Sequence, residues 1–197
     1  METRRLILAA AKEFYSVEAN AEAPISRLAL KAGVAEGTVF VYFPDKPSLI
    51  AAALEEEFDE MLATAWNTLP KDSPCREQLL HLAQVLYSFY SLRPALFRVL
   101  IKESLFLQGE WGTRVLDYVI RFVAKVAGLI DEAKARGEYR SDVDSLLAAR
   151  SFYGLYLLEL IGALNEDVFD PLEILDRLRA TVMQLETGLQ SGKEKKT

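Results

Sequence analysis

The sequence predicts an all-α protein of about nine helices. Three observations carry this. Glycine and proline are few, 10 and 7 in 197 residues, and they fall between the periodic segments rather than inside them. Apolar residues recur three and four positions apart through most of the chain, the spacing of one helix face. No stretch alternates apolar and polar residues between turn signals, so no strand is predicted. With 51% hydrophobic and 26% charged residues, the chain has enough apolar side chains to build a core.

The elements follow in order. A first helix runs from about Thr3 to Val17, with Leu6, Ala10 and Phe14 on one face and Ile7 and Ala11 beside them. A short helix spans about Ile25 to Ala32, and Gly33 closes it because glycine tolerates the left-handed C-cap. A third helix spans about Glu36 to Phe43 and stops at Pro44. Asp45 is an N-cap residue for a long helix that reaches Trp66, with Pro47 in its first turn. The segment Thr68 to Pro74, TLPKDSP, is a linker. Further helices are expected at about 75–91, 94–107, 111–136, 142–164 and 171–190, separated by Pro94, Gly109, Gly137 and Asp170-Pro171.

Residues 25–43, ISRLALKAGVAEGTVFVYF, place two short helices around a tight turn at Ala32-Gly33-Val34. This is the helix-turn-helix arrangement, whose second helix enters the major groove of DNA. Leu28 and Ala29 are predicted core of the first helix, and Val34, Val39 and Phe43 face inward. Glu36, Gly37, Phe40 and Val41 are left on the outward face. Thr38, Tyr42 and Lys46 lie four apart on one ridge, where a hydroxyl, a phenol and an ammonium suit phosphate oxygens. Arg4 and Arg5 open the first helix within reach of a flanking phosphate, and Arg27 adds a cation on the second helix. Phe40 and Val41 are expected to meet thymine methyls, and Glu36 to accept from a cytosine amine.

From Arg4 to about Phe58 the chain resembles the DNA-binding domain of the TetR family of transcriptional repressors. The matching pieces are RRLILAAAKEF and LALKAGVAEGTVFVYFPDKPSL. They contain Gly33-Val34, Ala35, Gly37-Thr38, Tyr42-Phe43, Pro44 and Lys46, the family's usual punctuation. RGEYRSDVD, ahead of the eighth helix, looks like a common family lead-in. The chain departs from the pattern at Pro24 and Ala35, where the family usually has hydroxyl caps, and such a cap contributes about 0.5–2 kcal/mol. It departs again at Glu36, where a basic residue is common, and at Val41. The resemblance implies residues 1–47 as the DNA-binding domain, joined through the helix 46–66 to a ligand-binding and dimerisation domain at 48–190. Residues 191–197 read as a disordered tail.

The resemblance implies a body that binds a small molecule and dimerises through its last two helices. Leu175, Leu178, Val182, Leu185 and Leu189 are spaced 3, 4, 3, 4, a seam suited to helix pairing. Gly154 permits close helix approach on a helix that is apolar nearly all round. The aromatic residues gather between 87 and 156. A largely apolar effector would sit among Trp111, Tyr118, Phe122, Phe152 and Tyr156, with His81, Arg121 and Glu159 as polar candidates. Glu159, inside LYLLELIGAL, needs a charge partner or a cationic ligand.

Composition excludes other classes. One cysteine, Cys75, read as a linker residue, gives no disulfide framework and no cysteine zinc site. One histidine, His81, gives no multi-histidine metal centre and little basis for a nucleophilic triad. No enzyme, metal or cofactor is expected. The longest near-apolar run, Phe152 to Leu164, is 13 residues and holds Glu159, too short for a bilayer. METRRLILAAAKEF contains no signal-peptide pattern, so a cytoplasmic setting without a membrane partner is expected. The net charge of −6 lies wholly in residues 48–197, because residues 1–47 carry six basic and six acidic side chains. The partners implied by the resemblance are a palindromic operator duplex, a second copy of the chain and a small molecule. The alternative is a helical interaction protein of the same fold with weakened or lost DNA binding.

Overall fold

The computed structural model describes residues 2–17 and 24–189. Among these are nine α-helices and no strand: α1 (Glu2–Lys12), α2 (Ile25–Ala32), α3 (Glu36–Tyr42), α4 (Lys46–Asn67), α5 (Cys75–Ser91), α6 (Pro94–Ser104), α7 (Gly109–Ala135), α8 (Ser145–Leu164) and α9 (Pro171–Leu189). The tail expected at 191–197 lies outside the described residues.

Local chemistry explains most of the boundaries. Gly33 has φ +69°, and its N–H bonds the Leu30 carbonyl while that of Val34 bonds Ala29, a Schellman closure of α2. Asp45 Oδ1 accepts the Ser48 N–H at 2.7 Å and caps α4. Asp144 caps α8 through Leu147 N–H at 2.9 Å, so that helix begins at Ser145 rather than at 142. Asp170 caps α9 through Leu172 N–H at 2.8 Å. Helix α7 begins at Gly109 rather than 111, and Gly112 in its first turn abuts the preceding loop. A Cβ there would lie 2.0 Å from the Leu107 carbonyl oxygen, so only glycine fits.

The first helix differs from expectation in two ways. Its α-helical ladder ends at Lys12, and Glu13–Val17 continues as a π-helical turn. Its buried face is centred on Ile7, Ala10, Ala11 and Phe14, and Leu6 is 40% exposed instead of in the core.

The chain divides into two compact units, Met1–Leu62 with Leu92–Leu116 and Ala63–Ser91 with Asp117–Thr197. The sequence reading drew its boundary at 47; packing instead gathers α6 and the start of α7 with the helix-turn-helix. In the first unit α1 packs on α2 and α2 on α3. Ile7, Phe14, Leu28, Val39, Phe43, Leu49, Leu54 and Phe97 are buried there. In the second unit α9 packs on α5 and α8. Leu82, Val126, Ile130, Phe152, Leu160 and Leu178 are buried in it. Helix α8, at 20 residues, is long and apolar enough by composition to cross a membrane. Here Ala149, Phe152, Tyr156 and Leu160 are buried within the protein, while Leu146, Leu147 and Leu158 are exposed.

Cys75 is not a linker residue. It is the first residue of α5 and fully buried, its thiol 3.8 Å from the Leu129 carbonyl oxygen and its N–H bonded to Glu138 Oε2 at 2.9 Å. Burial pushes the thiol up to about 11, which leaves it protonated and inert at neutral pH.

Candidate nucleic-acid interface

The turn at Gly33 sets α3 across α2 with Val39 and Phe43 buried beneath it. The opposite face of α3 is open. Phe40 is 43% and Val41 79% exposed, and Glu36 and Gly37 are exposed beside them. Neither α2 nor α3 has a side-chain cap, as Pro24 and Ala35 predict. The Thr38 N–H is instead bonded by the Ala35 carbonyl at 2.9 Å.

Of the expected ridge residues, Thr38 and Tyr42 lie on α3 and Lys46 opens α4. Thr38 and Lys46 are half-buried and Tyr42 is exposed at its edge. Several cations nearby are engaged. Arg5 pairs with Glu2, Lys12 with Glu56 at 2.5 Å, and Lys31 with Glu13 at 2.7 Å. Arg4 lies over the Phe43 ring at 5.4 Å and Arg27 over Phe14 at 5.6 Å. Both of these keep their N–H groups unneutralised by a carboxylate in those contacts, so each retains charge for a phosphate.

A second tie operates inside this unit. Arg93, ahead of α6, is 8% exposed. Its Nη1 donates to the Tyr15 carbonyl at 3.1 Å, Nη2 pairs with Glu57, and its guanidinium lies 5.4 Å from the Phe97 ring centre. The π-turn at the end of α1, the middle of α4 and the start of α6 thus share one buried cation. Arg114 repeats the device, joining Glu55 at 2.6 Å and stacking on Trp111 at 4.7 Å.

The second unit gathers an aromatic cluster. Tyr87 and Tyr156 stack at 5.1 Å, Tyr153 lies 6.0 Å from Tyr156, Phe122 6.2 Å from Tyr153, and Trp66 6.0 Å from Phe122. The Tyr87 hydroxyl donates to the Tyr156 carbonyl at 3.0 Å. The Tyr156 hydroxyl is buried beside the Tyr90 phenol and makes no hydrogen bond of ordinary geometry. Burial, with the neighbouring phenols of Tyr90, Tyr87 and Tyr153, holds it protonated well above its ordinary range.

Of the residues expected around an effector, Phe122 and Tyr156 are in this cluster, and Phe152 is buried on the same helix as Tyr156. Tyr87, Tyr90 and Tyr153, within the aromatic stretch at 87–156, join it too. Their signal was a repeated Tyr-x-x-Tyr step, YSFY at 87–90 and YGLY at 153–156, which sets two phenols on one face of each helix.

The other expected residues lie elsewhere. Trp111 belongs to the first unit. Arg121 is exposed, paired with Asp117 at 3.1 Å and 5.0 Å from the Tyr118 ring. His81 hydrogen-bonds Thr68 at 2.9 Å and lines a hollow of about 310 Å³ with Glu77, Leu80 and Arg179. Glu159 receives a hydrogen bond from Arg177 Nε at 3.2 Å, so its burial is answered within the chain and calls for no cationic ligand. No cluster of metal-ligating side chains occurs among the described residues.

Residues 7–53 match the family model described as bacterial regulatory proteins, tetR family. The N-terminal segment of the chain is thus a TetR-family segment. Among its relatives, the fatty acid metabolism regulator protein of Bacillus subtilis is 22% identical over 151 residues, 75% of this chain and 76% of that protein. Two solved structures share the fold. Thermus thermophilus FadR, a TetR-family repressor in complex with lauroyl-CoA, aligns with a TM-score of 0.74 over 98% of each chain at 18% identity. Bacillus subtilis FadR in complex with stearoyl-CoA aligns with a TM-score of 0.69, over 95% of this chain and 100% of that one, at 17% identity.

In this chain the seam expected to pair two copies is largely core. Leu175, Leu178 and Val182 are buried within the chain, Leu185 is half-buried, and the Leu189 side chain lies outside the described residues. The 3-4 spacing marks the face that α9 turns to α5 and α8, because a helix in a bundle and a helix in a dimer use the same stripe. What α8 and α9 leave open is a different set: Leu147, Gly154 and Leu158 on α8, Leu172 and Met183 on α9. No atom of the chain lies within 4 Å of where a Cβ at Gly154 would be.

Proposed function

We propose that the protein is a ligand-responsive transcriptional repressor that binds a palindromic operator as a homodimer and is released by a small molecule. The observation that carries the reading is the outward face of α3, with Phe40 and Val41 uncovered above a fully formed helix-turn-helix core. A two-fold dimer sets two such helices into major grooves one helical turn apart, which requires a palindrome. The open residues of α8 and α9, Leu147, Gly154, Leu158, Leu172 and Met183, are the dimer face in this reading.

For the effector we propose an acyl thioester. Support comes from the relatives solved with lauroyl-CoA and stearoyl-CoA and from the aromatic cluster of Phe122, Tyr153 and Tyr156. The effector acts only through unequal affinity for the DNA-competent and incompetent states. No catalytic step and no resident cofactor enter this mechanism, and the setting is cytoplasmic.

The test uses the full chain. A duplex selected from random DNA is bound in a mobility-shift assay, then challenged with lauroyl-CoA, which is expected to release it. The Tyr42→Ala, Lys46→Ala double variant is expected to bind about 10-fold more weakly or worse, since a charge-assisted contact contributes about 1.5–3 kcal/mol. Unchanged binding by that variant refutes the phosphate ridge. The uncapped α2 and α3 favour a second reading, a helical interaction protein without DNA binding. Failure of the selection to enrich any duplex decides for it.

A further inference from the structure

Helix α3 reads EGTVFVY. It has no Arg, Lys, Asn or Gln, the side chains that make bidentate hydrogen bonds to guanine or adenine edges in the major groove. Thr38 is half-buried, and with Tyr42 it lies on the ridge assigned to phosphate. Glu36 offers only an acceptor. The exposed apolar side chains on the helix are Val41 at 79% and Phe40 at 43% exposure, adjacent in sequence and over a buried Val39 and Phe43. Of the cations of α1 and α2, Arg5, Lys12 and Lys31 are held by carboxylates, and Arg4 and Arg27 lie over the Phe43 and Phe14 rings.

The only apolar group that a base pair displays in the major groove is the C5 methyl of thymine. An apolar helix face can distinguish sequences directly only through that group. We infer that Val41 and Phe40 read thymine C5 methyls, so that operator choice rests on methyl contacts rather than on hydrogen-bonded base edges. The inference depends on the DNA-binding reading above and adds the chemical group that the protein recognises.

The experiment uses the full chain and a duplex enriched from random DNA by that chain. Each thymine of the half-site is replaced in turn by deoxyuridine, which keeps the pairing and removes the methyl, and by 5-bromodeoxyuridine, whose bromine matches the methyl in size. At the positions facing Val41 and Phe40, deoxyuridine is expected to weaken binding about 4-fold per methyl, the effect of one buried methyl-sized group. Bromodeoxyuridine is expected to restore it. Val41→Ala, a change at an exposed position, is expected to bind the thymine duplex about as weakly as the parent binds the deoxyuridine duplex, and to be insensitive to the replacement.

Equal affinity of the parent for all three duplexes overturns the inference. So does a deoxyuridine loss that bromine does not restore, or one that Val41→Ala and Phe40→Ala both retain in full, since the methyl then acts through DNA shape or another residue. A chain that enriches no duplex overturns the DNA-binding reading itself, and the inference with it.

Discussion

Replacing Arg93 by methionine keeps most of the side-chain bulk and deletes the guanidinium that ties α1, α4 and α6. Three losses follow. The Tyr15 carbonyl loses its donor at 3.1 Å in a place where Arg93 itself is 8% exposed, and an unpaired buried polar group costs about 1–3 kcal/mol. Glu57 loses its cation. A fully buried broken pair costs about 3–5 kcal/mol, but the Glu57 side chain is 30% exposed and water screens much of that. The contact with the Phe97 ring adds about 0.5–1 kcal/mol. Together these point to a destabilisation of about 3 kcal/mol in the unit that contains the helix-turn-helix, about a quarter or more of a typical domain's stability. Urea unfolding of the full chain, read as the shift in midpoint at constant slope, measures it. Adding Glu57→Gln to Arg93→Met removes the stranded charge and is expected to recover about 1 kcal/mol. A loss below about 1 kcal/mol in the single variant, or no recovery in the double, would refute the picture of Arg93 as a buried three-way tie.

Three further outcomes are expected. Gly33→Ala destabilises by about 1 kcal/mol, since φ is +69° but no atom lies within 4 Å of the new Cβ; the cost is conformational alone, and thermal melting of the variant checks it. Burial pushes Tyr15 and Tyr90 up to about 12 and Tyr156 well above 10.0. Groups whose folded pKa is raised contribute stability that is complete below pH 10 and lost as the pH climbs toward 12. In an alkaline titration these phenols are expected to ionise, by absorbance at 295 nm, only together with loss of helical circular dichroism. Leu158→Arg, at a position 65% exposed, leaves the protomer folded and converts the proposed dimer to a monomer in sedimentation equilibrium; a dimer that survives moves the interface elsewhere.

Much of the candidate DNA interface was legible because it is local. The turn at Gly33, the caps at Asp45 and Asp170, the missing caps at Pro24 and Ala35, and the inward and outward faces of α3 all depend on residues within one or two helical turns. Local dihedral preferences and hydrogen bonds settle such features before any tertiary contact forms. Glu159 shows where that legibility stops. An acid in an apolar helix announces a need for a partner, but Arg177 is 18 residues away and reaches it only because α9 packs on α8.

The sequence by itself determined nine helices, several of their ends, and which side of α3 is left open, since periodicity and capping are read from neighbours along the chain. Only the tertiary structure decided that Leu175, Leu178 and Val182 are core, because an apolar stripe records that a face will be covered and not by which helix. Only it made Cys75 a buried thiol and Arg93 the shared cation of α1, α4 and α6. It also grouped residues 92–116 with the DNA-reading helices across a boundary that the sequence suggested at 47. These facts join residues 36 to 78 positions apart, where burial and ion pairing act through space and leave no periodic trace in the chain.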